Sequence, residues 1–200
     1  MIFGDPNNFA IMIDWIPEWH TGEYAYNGIF AYVIDGFFFP PEVRPSSLGE
    51  EIDDIDFNGS FVRVPENREL FELASLDAFR VMLEKIYPDY FDVDVIIDDG
   101  FVEDYSYRVS TDTMSGACLY FFAVSYGGVV RILGGRTREL FLGDEGTMEW
   151  RDVSRLHIHE AFLSGAEFIG LYERLKKGWA DIRAVADELT VEKIRNERNL

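Results

Sequence analysis

The sequence predicts an α+β fold: a mainly antiparallel sheet built from hairpins, with one central helix and two C-terminal helices packed on it. Three observations predict it. Asp35-Gly36 and Gly127-Gly128 each separate two apolar runs, and two-residue turns of this kind need positive φ at both central positions, which makes them hairpin signals. Helical spacing of apolar residues occurs near the middle of the chain and again after residue 163. Many strands with helices late in the chain belong to the α+β class. No internal repeat and no linker composition divides the 200 residues, so a single domain over residues 1–200 is expected.

The elements follow in order. Residues 9–16 (FAIMIDWI) form a first strand, stopped by Pro17. A polar, aromatic loop leads to Asn27-Gly28. GIFAYVI, the Asp35-Gly36 turn and FFF then make a hairpin whose runs barely alternate, so both sheet faces are expected to be covered. Residues 40–60 carry three prolines and the acids Glu50, Glu51, Asp53, Asp54 and Asp56, which predicts a long acidic loop. FVRV at 61–64 is a short strand candidate, and ELFELA at 69–74 fits either a strand or a helix.

Ser75 stands where an N-cap would, ahead of a helix reaching Tyr87. Leu76, Phe79, Leu83 and Ile86 fall at helical spacing, and Pro88 ends the run. A second acidic stretch covers residues 89–100, and FVEDYSYRV after it has strand composition. ACLYFFAVSY and VVRIL flank Gly127-Gly128, RELFLG continues the meander, and residues 153–163 supply one more strand. Ser164 and Glu167 have capping-box spacing. Ala166, Phe168, Ile169, Tyr172, Leu175 and Trp179 then lie on one stripe. A second amphipathic segment covers residues 182–194, and the polar tail 195–200 is expected to fray.

Charge is the most informative bulk property. The net formal charge is −19, and it is unevenly placed: residues 1–110 hold 23 acids and 6 bases, residues 111–200 hold 14 and 12. Such a front half repels phosphate backbones and anionic lipid, which disfavours nucleic acid and membranes as partners. It steers basic proteins inward. The segments that concentrate the charge are residues 50–56 and 89–104, the latter through Asp92, Asp94, Asp98, Asp99, Glu103 and Asp104. Trp19, Tyr24 and Tyr26 in the first loop are candidate aromatic anchors for a partner.

Catalytic signatures are sparse. His157-x-His159 places two rings on one face of a strand, but zinc needs a third ligand, with His20 or a carboxylate as the candidates. The acidic runs lack the ligand order of a calcium loop. No G-x-S-x-G elbow occurs. Cys118 sits in an apolar run that raises a thiol pKa, so it is expected to be a small buried hydrophobe. No metal or cofactor is predicted, and a binding protein is preferred to a metal- or carboxylate-dependent enzyme built on His157 and His159. A single cysteine and an opening (MIFGDPNNF) without a basic region before an apolar run lead to an expectation of a cytoplasmic protein.

The opening also carries a distributed pattern: Ile2, Phe3, Gly4, Asp5 and Pro6, then Phe9, Ala10 and Ile11, then Trp19, then Asn27, Gly28 and Phe30, closing at Asp35 and Gly36. Over these 36 residues the chain resembles immunity protein family forty-two, small bacterial immunity proteins of polymorphic-toxin systems. The resemblance implies a protein that binds and neutralises a cognate toxin inside the producing cell, and it brings no catalytic residues. An acidic inhibitor suits a cationic toxin, a nuclease for example, whose cleft must be basic to hold phosphate.

Overall fold

The computed structural model describes residues 1–19, 26–59, 61–92, 94–143 and 146–198. In order, the elements are β1 (Ile2–Gly4), β2 (Phe9–Trp15), a 3-10 turn (Pro17–Trp19), β3 (Asn27–Ile34), β4 (Phe37–Phe39), β5 (Ser46–Ser47), α1 (Leu48–Asn58), α2 (Arg68–Glu72), α3 (Ser75–Glu84), α4 (Asp112–Gly116), β6 (Leu119–Tyr126), β7 (Val129–Arg136), β8 (Arg138–Leu142), β9 (Met148–Asp152), β10 (His159–Ser164) and α5 (Gly165–Arg198). Every strand pair is antiparallel, and the chain is an α+β protein. It divides into two compact units, residues 1–54 with 169–200 and residues 55–168. The divisions fall inside α1 and inside α5.

In the first unit the sheet order is β1-β2-β3-β4, with β5 paired to the start of β3. The register Phe9↔Ile34, Ile11↔Tyr32 and Ile13↔Phe30 puts six large apolar side chains on one face, and all six are buried. The α5 stripe Leu171, Leu175, Trp179, Ile182 and Ala186 is buried as well. Gly178 marks where helix and sheet meet most closely: a Cβ there would lie 2.4 Å from the ring of Phe3. The Asp35-Gly36 turn has φ of 50° and 78°, the double left-handed geometry that a tight hairpin requires.

The second unit is built on the sheet β10-β7-β6. Gly127 and Gly128 turn β6 into β7 with φ of 59° and 80°. Ala78, Phe79, Met82 and Leu83 of α3 pack with Tyr120, Phe122, Val124 and Leu133 of the sheet, and the rings of Phe79 and Phe122 meet edge to face at 5.3 Å. Arg131 of β7 lies among them, 4% exposed. Its guanidinium donates to the carbonyls of Phe71 and Leu73 at 2.8 and 2.7 Å, to Ser75 Oγ at 3.2 Å and to Glu160 Oε2 at 2.8 Å. One planar donor set therefore holds β7, β10 and the α2–α3 corner together.

The capping box forms as its spacing predicts. Glu167 accepts from Ser164 N at 2.8 Å, and Ser164 Oγ accepts from Glu167 N at 3.2 Å. These bonds, with one from the Ser164 hydroxyl, hold the Glu167 carboxyl below its ordinary value. Its contribution to the helix start is complete above pH 4.5 and is lost as pH falls through the lowered value.

Several elements depart from expectation. Residues 40–60 are not one long loop, because α1 begins at Leu48. Leu48, Glu51, Ile52 and Ile55 recur at helical spacing and are all buried, a pattern masked in the sequence by the surrounding acids. The two expected C-terminal helices are one, α5. Lys177 pairs with Asp181 at 3.2 Å across the supposed break, and neither Gly nor Pro stands between Trp179 and Ile182. Ala74, not Ser75, is the N-cap of α3, since the Ser75 hydroxyl is engaged with Arg131 and Glu160. FVEDYSYRV forms no strand beyond an isolated bridge at Arg108, because Asp98 and Asp104 accept from Gly100 N and Ser106 N and turn the chain locally. FVRV likewise forms no strand. Residues 153–158 precede β10 rather than belonging to it, and β9 pairs with β8 in a separate ribbon. Cys118 is half-buried at φ 57°, and burial pushes its thiol upward.

Replacing Arg131 with Met removes the guanidinium donors from the carbonyls of Phe71 and Leu73 and from the Glu160 carboxylate. A loss of about 3 kcal/mol in unfolding free energy is expected by urea titration. A loss below about 1 kcal/mol would show that the corner holds by apolar packing alone.

Candidate functional site

The acids singled out above fall into two groups. Glu50, Asp53 and Asp56 lie on the outward face of α1, placed there by the buried Leu48, Ile52 and Ile55. Asp54 is half-buried. Glu51 is a correction: it is 3% exposed and hydrogen-bonded to the Ser46 hydroxyl. It belongs to the inner face of the helix, where it ties α1 to β5, and it is no surface charge.

The second group lies in the second unit, in a stretch between α3 and α4 that forms no helix or strand among its described residues beyond the bridge at Arg108. Asp92, Asp94, Asp98, Asp99 and Glu103 are exposed. The loop is shaped by its own carboxylates: Asp92 accepts from Asp94 N at 3.0 Å and Asp98 from Gly100 N at 2.9 Å. Asp104 anchors it to α3. It pairs with Lys85 at 3.2 Å while its amide donates to Lys85 O at 2.9 Å. The bonds from Ser106, then Lys85, hold its carboxyl below the usual range despite partial burial. No Lys or Arg occurs between Lys85 and Arg108.

Sequence reasoning overlooked the apolar residues of this loop. Ile96 is 95% exposed and Val102 81%, and Val95, Ile97 and Phe101 are exposed to lesser degrees. Phe57, on the outward face of α1, is 90% exposed. The overlooked signal was an Ile-Ile pair between aspartates, at neither strand nor helix spacing, so that no core position was available to it. Surfaces that combine exposed apolar side chains with one sign of charge are suited to meeting another macromolecule.

The aromatic candidates fare unevenly. Tyr26 is buried: its hydroxyl donates to Asp187 at 2.7 Å and its ring meets Trp179 edge to face at 5.1 Å. That bond, followed by burial, raises its pKa, and it is not an exposed anchor. Trp19 is half-buried in the 3-10 turn, with its carbonyl bound by Asn27. Tyr24 lies outside the described residues, as does His20.

His157 and His159 come together edge to face, ring centroids 4.5 Å apart. No cluster of three or more metal-ligating side chains occurs among the described residues, and no helix among them is long and apolar enough to cross a membrane. Three of the back-half arginines pair with back-half acids: Arg131 with Glu160, Arg138 with Asp152 and Arg151 with Glu139.

The model of the immunity protein 42 family matches residues 1–178, and the chain belongs to that family. Membership implies a cognate toxin as partner. Among solved structures, the chain is similar to the crystal structure of CdiI from Burkholderia dolosa AUO158, with 22% identity and a TM-score of 0.64 over 89% of this chain and 99% of that one. At that identity the likeness speaks for the fold. No curated protein matches the chain.

Replacing the exposed Ile96 with Ser leaves the unfolding free energy from urea titration unchanged to within about 0.5 kcal/mol. A drop above about 1 kcal/mol would mean that the loop folds back on its body.

Proposed function

We propose that this protein neutralises a basic toxin in the cytoplasm of the producing cell by stoichiometric binding, with the exposed acids of residues 50–56, Glu51 excepted, and of residues 89–104 directed at the toxin. Family membership supports the immunity role. The observation that carries the electrostatic part is the exposed loop holding Asp92, Asp94, Asp98, Asp99 and Glu103 with no base among them. Neighbouring carboxylates without compensating cations produce a negative potential at the surface. That potential accelerates encounter with a cationic partner up to about 10⁸–10⁹ M⁻¹s⁻¹ at low salt. A nuclease is the toxin class this charge fits best, because its cleft must attract phosphate. An acidic surface seated there competes with the substrate directly.

The test is charge reversal at exposed positions alone: Glu50, Asp53, Asp94 and Asp99 to Lys, assayed against the toxin domain encoded by the adjoining reading frame. Association at low ionic strength should slow at least roughly tenfold, and protection of growing cells should weaken. A folded variant that associates and protects as well as the parent would sink the proposed surface.

A further inference from the structure

Where the acidic loop returns toward α4, the second unit opens into a groove of about 600 Å³. Phe57, Tyr87 and Tyr105 give it aromatic walls, and Arg108, Asp112 and Ser115 its polar lining. The Arg108 guanidinium is buried. It lies 5.0 Å from the centre of the Tyr105 ring and donates to Asp112 Oδ1 at 2.6 Å. The groove therefore already seats one cation of the chain's own, using an aromatic face and a carboxylate. The Asp112 side chain, by contrast, is 80% exposed and presents its carboxylate to the opening.

The rim is acidic and apolar. The Tyr105 hydroxyl donates to Glu103 at 2.5 Å. This bond, then burial, pushes the phenol up to about 12, so it stays a neutral ring across the physiological range. Asp56 precedes Phe57 on the outward face of α1, and Val102 precedes Glu103. Phe57 lines the groove and is 90% exposed, and Val102, 81% exposed, is the chain neighbour of Glu103, the acid that holds the groove's Tyr105 hydroxyl. An anion entering would meet Asp112 before it met the buried, already engaged Arg108. A cation would meet aromatic faces and carboxylates, the pairing that favours Arg or Lys in a desolvated site.

We infer that this groove receives a basic side chain of the toxin, with Phe57 and Val102 closing on apolar residues beside it. The inference rests on the reading of the protein as a toxin inhibitor and divides the labour within that interface. The dispersed carboxylates set how fast the partners meet, and the groove with its two apolar side chains sets how long they stay together.

The experiment measures association and dissociation rates against the toxin domain of the adjoining reading frame for three proteins: the parent, Phe57→Ala/Val102→Ala, and Asp112→Asn. Thermal melts accompany each. The double variant removes only exposed groups and should melt with the parent. Its dissociation should be at least roughly tenfold faster with association within roughly twofold of the parent. Asp112→Asn should also dissociate faster. Unchanged dissociation in the double variant, with the parent binding normally, overturns the groove assignment and leaves the inhibitor reading standing. A parent that does not bind overturns both. Conversion of a dimeric parent to a monomer by the double variant would assign the groove to a second copy of this chain, and would also overturn the inference.

Discussion

Arg131 is the constraint on which the second unit depends. A guanidinium inside an apolar core is tolerable only when its donors are all directed at acceptors, and here the acceptors are two carbonyls at the α2–α3 corner, a serine hydroxyl and a carboxylate from a third strand. The residue is thus a positional device more than a source of net stability. It decides where α3 begins relative to β7, and α3 in turn carries Lys85, the anchor of the acidic loop, just past its end. The loop leaves the core from a fixed point because an arginine within the run of six buried β7 residues has nowhere else to place its donors.

Arg131 and two other back-half arginines leave the front-half acids alone. An obvious fate for front-half acids would be neutralisation by the arginines of the back half. Arg131, Arg138 and Arg151 instead meet Glu160, Asp152 and Glu139, all from their own half. In the acidic loop Asp92 and Asp98 each accept from the backbone amide two residues further on. An amide bond shapes the chain without cancelling the charge, so the turns and the potential come from the same side chains.

What was legible in the sequence was whatever depended on local chemistry. Asp35-Gly36 and Gly127-Gly128 announce their turns because few residues tolerate the required φ, and Ser164 with Glu167 announces a helix start because the two bonds are reciprocal. The α1 helix was hidden because its buried face is only Leu48, Glu51, Ile52 and Ile55, one of them an acid, in a segment where prolines and carboxylates dominate by count. Ser75 was misread for a different reason: a cap is a local preference, and a buried guanidinium 56 residues away outbid it. For the candidate site, the acids were visible as composition, yet Glu51 turned inward and Tyr26 was claimed by Asp187 and Trp179. The groove-lining residues draw on α1, the end of α3, the acidic loop and α4, an assembly that no spacing rule encodes.

The ribbon of β8 and β9 differs in kind from the other strands described. Its register places Leu140 opposite Trp150 and Leu142 opposite Met148 on one side, all exposed, while Arg151 reaches Glu139 at 2.9 Å and lies over the Phe141 ring on the other, and Arg138 meets Asp152 at 2.9 Å. Two-stranded ribbons are marginal in water, and this one relies on cross-strand ion pairs where its neighbours rely on burial. Ionic strength therefore acts on the molecule selectively. Concentrated salt screens the ladder that keeps the ribbon zipped while reinforcing the apolar sheets, so the ribbon would loosen as those sheets tightened.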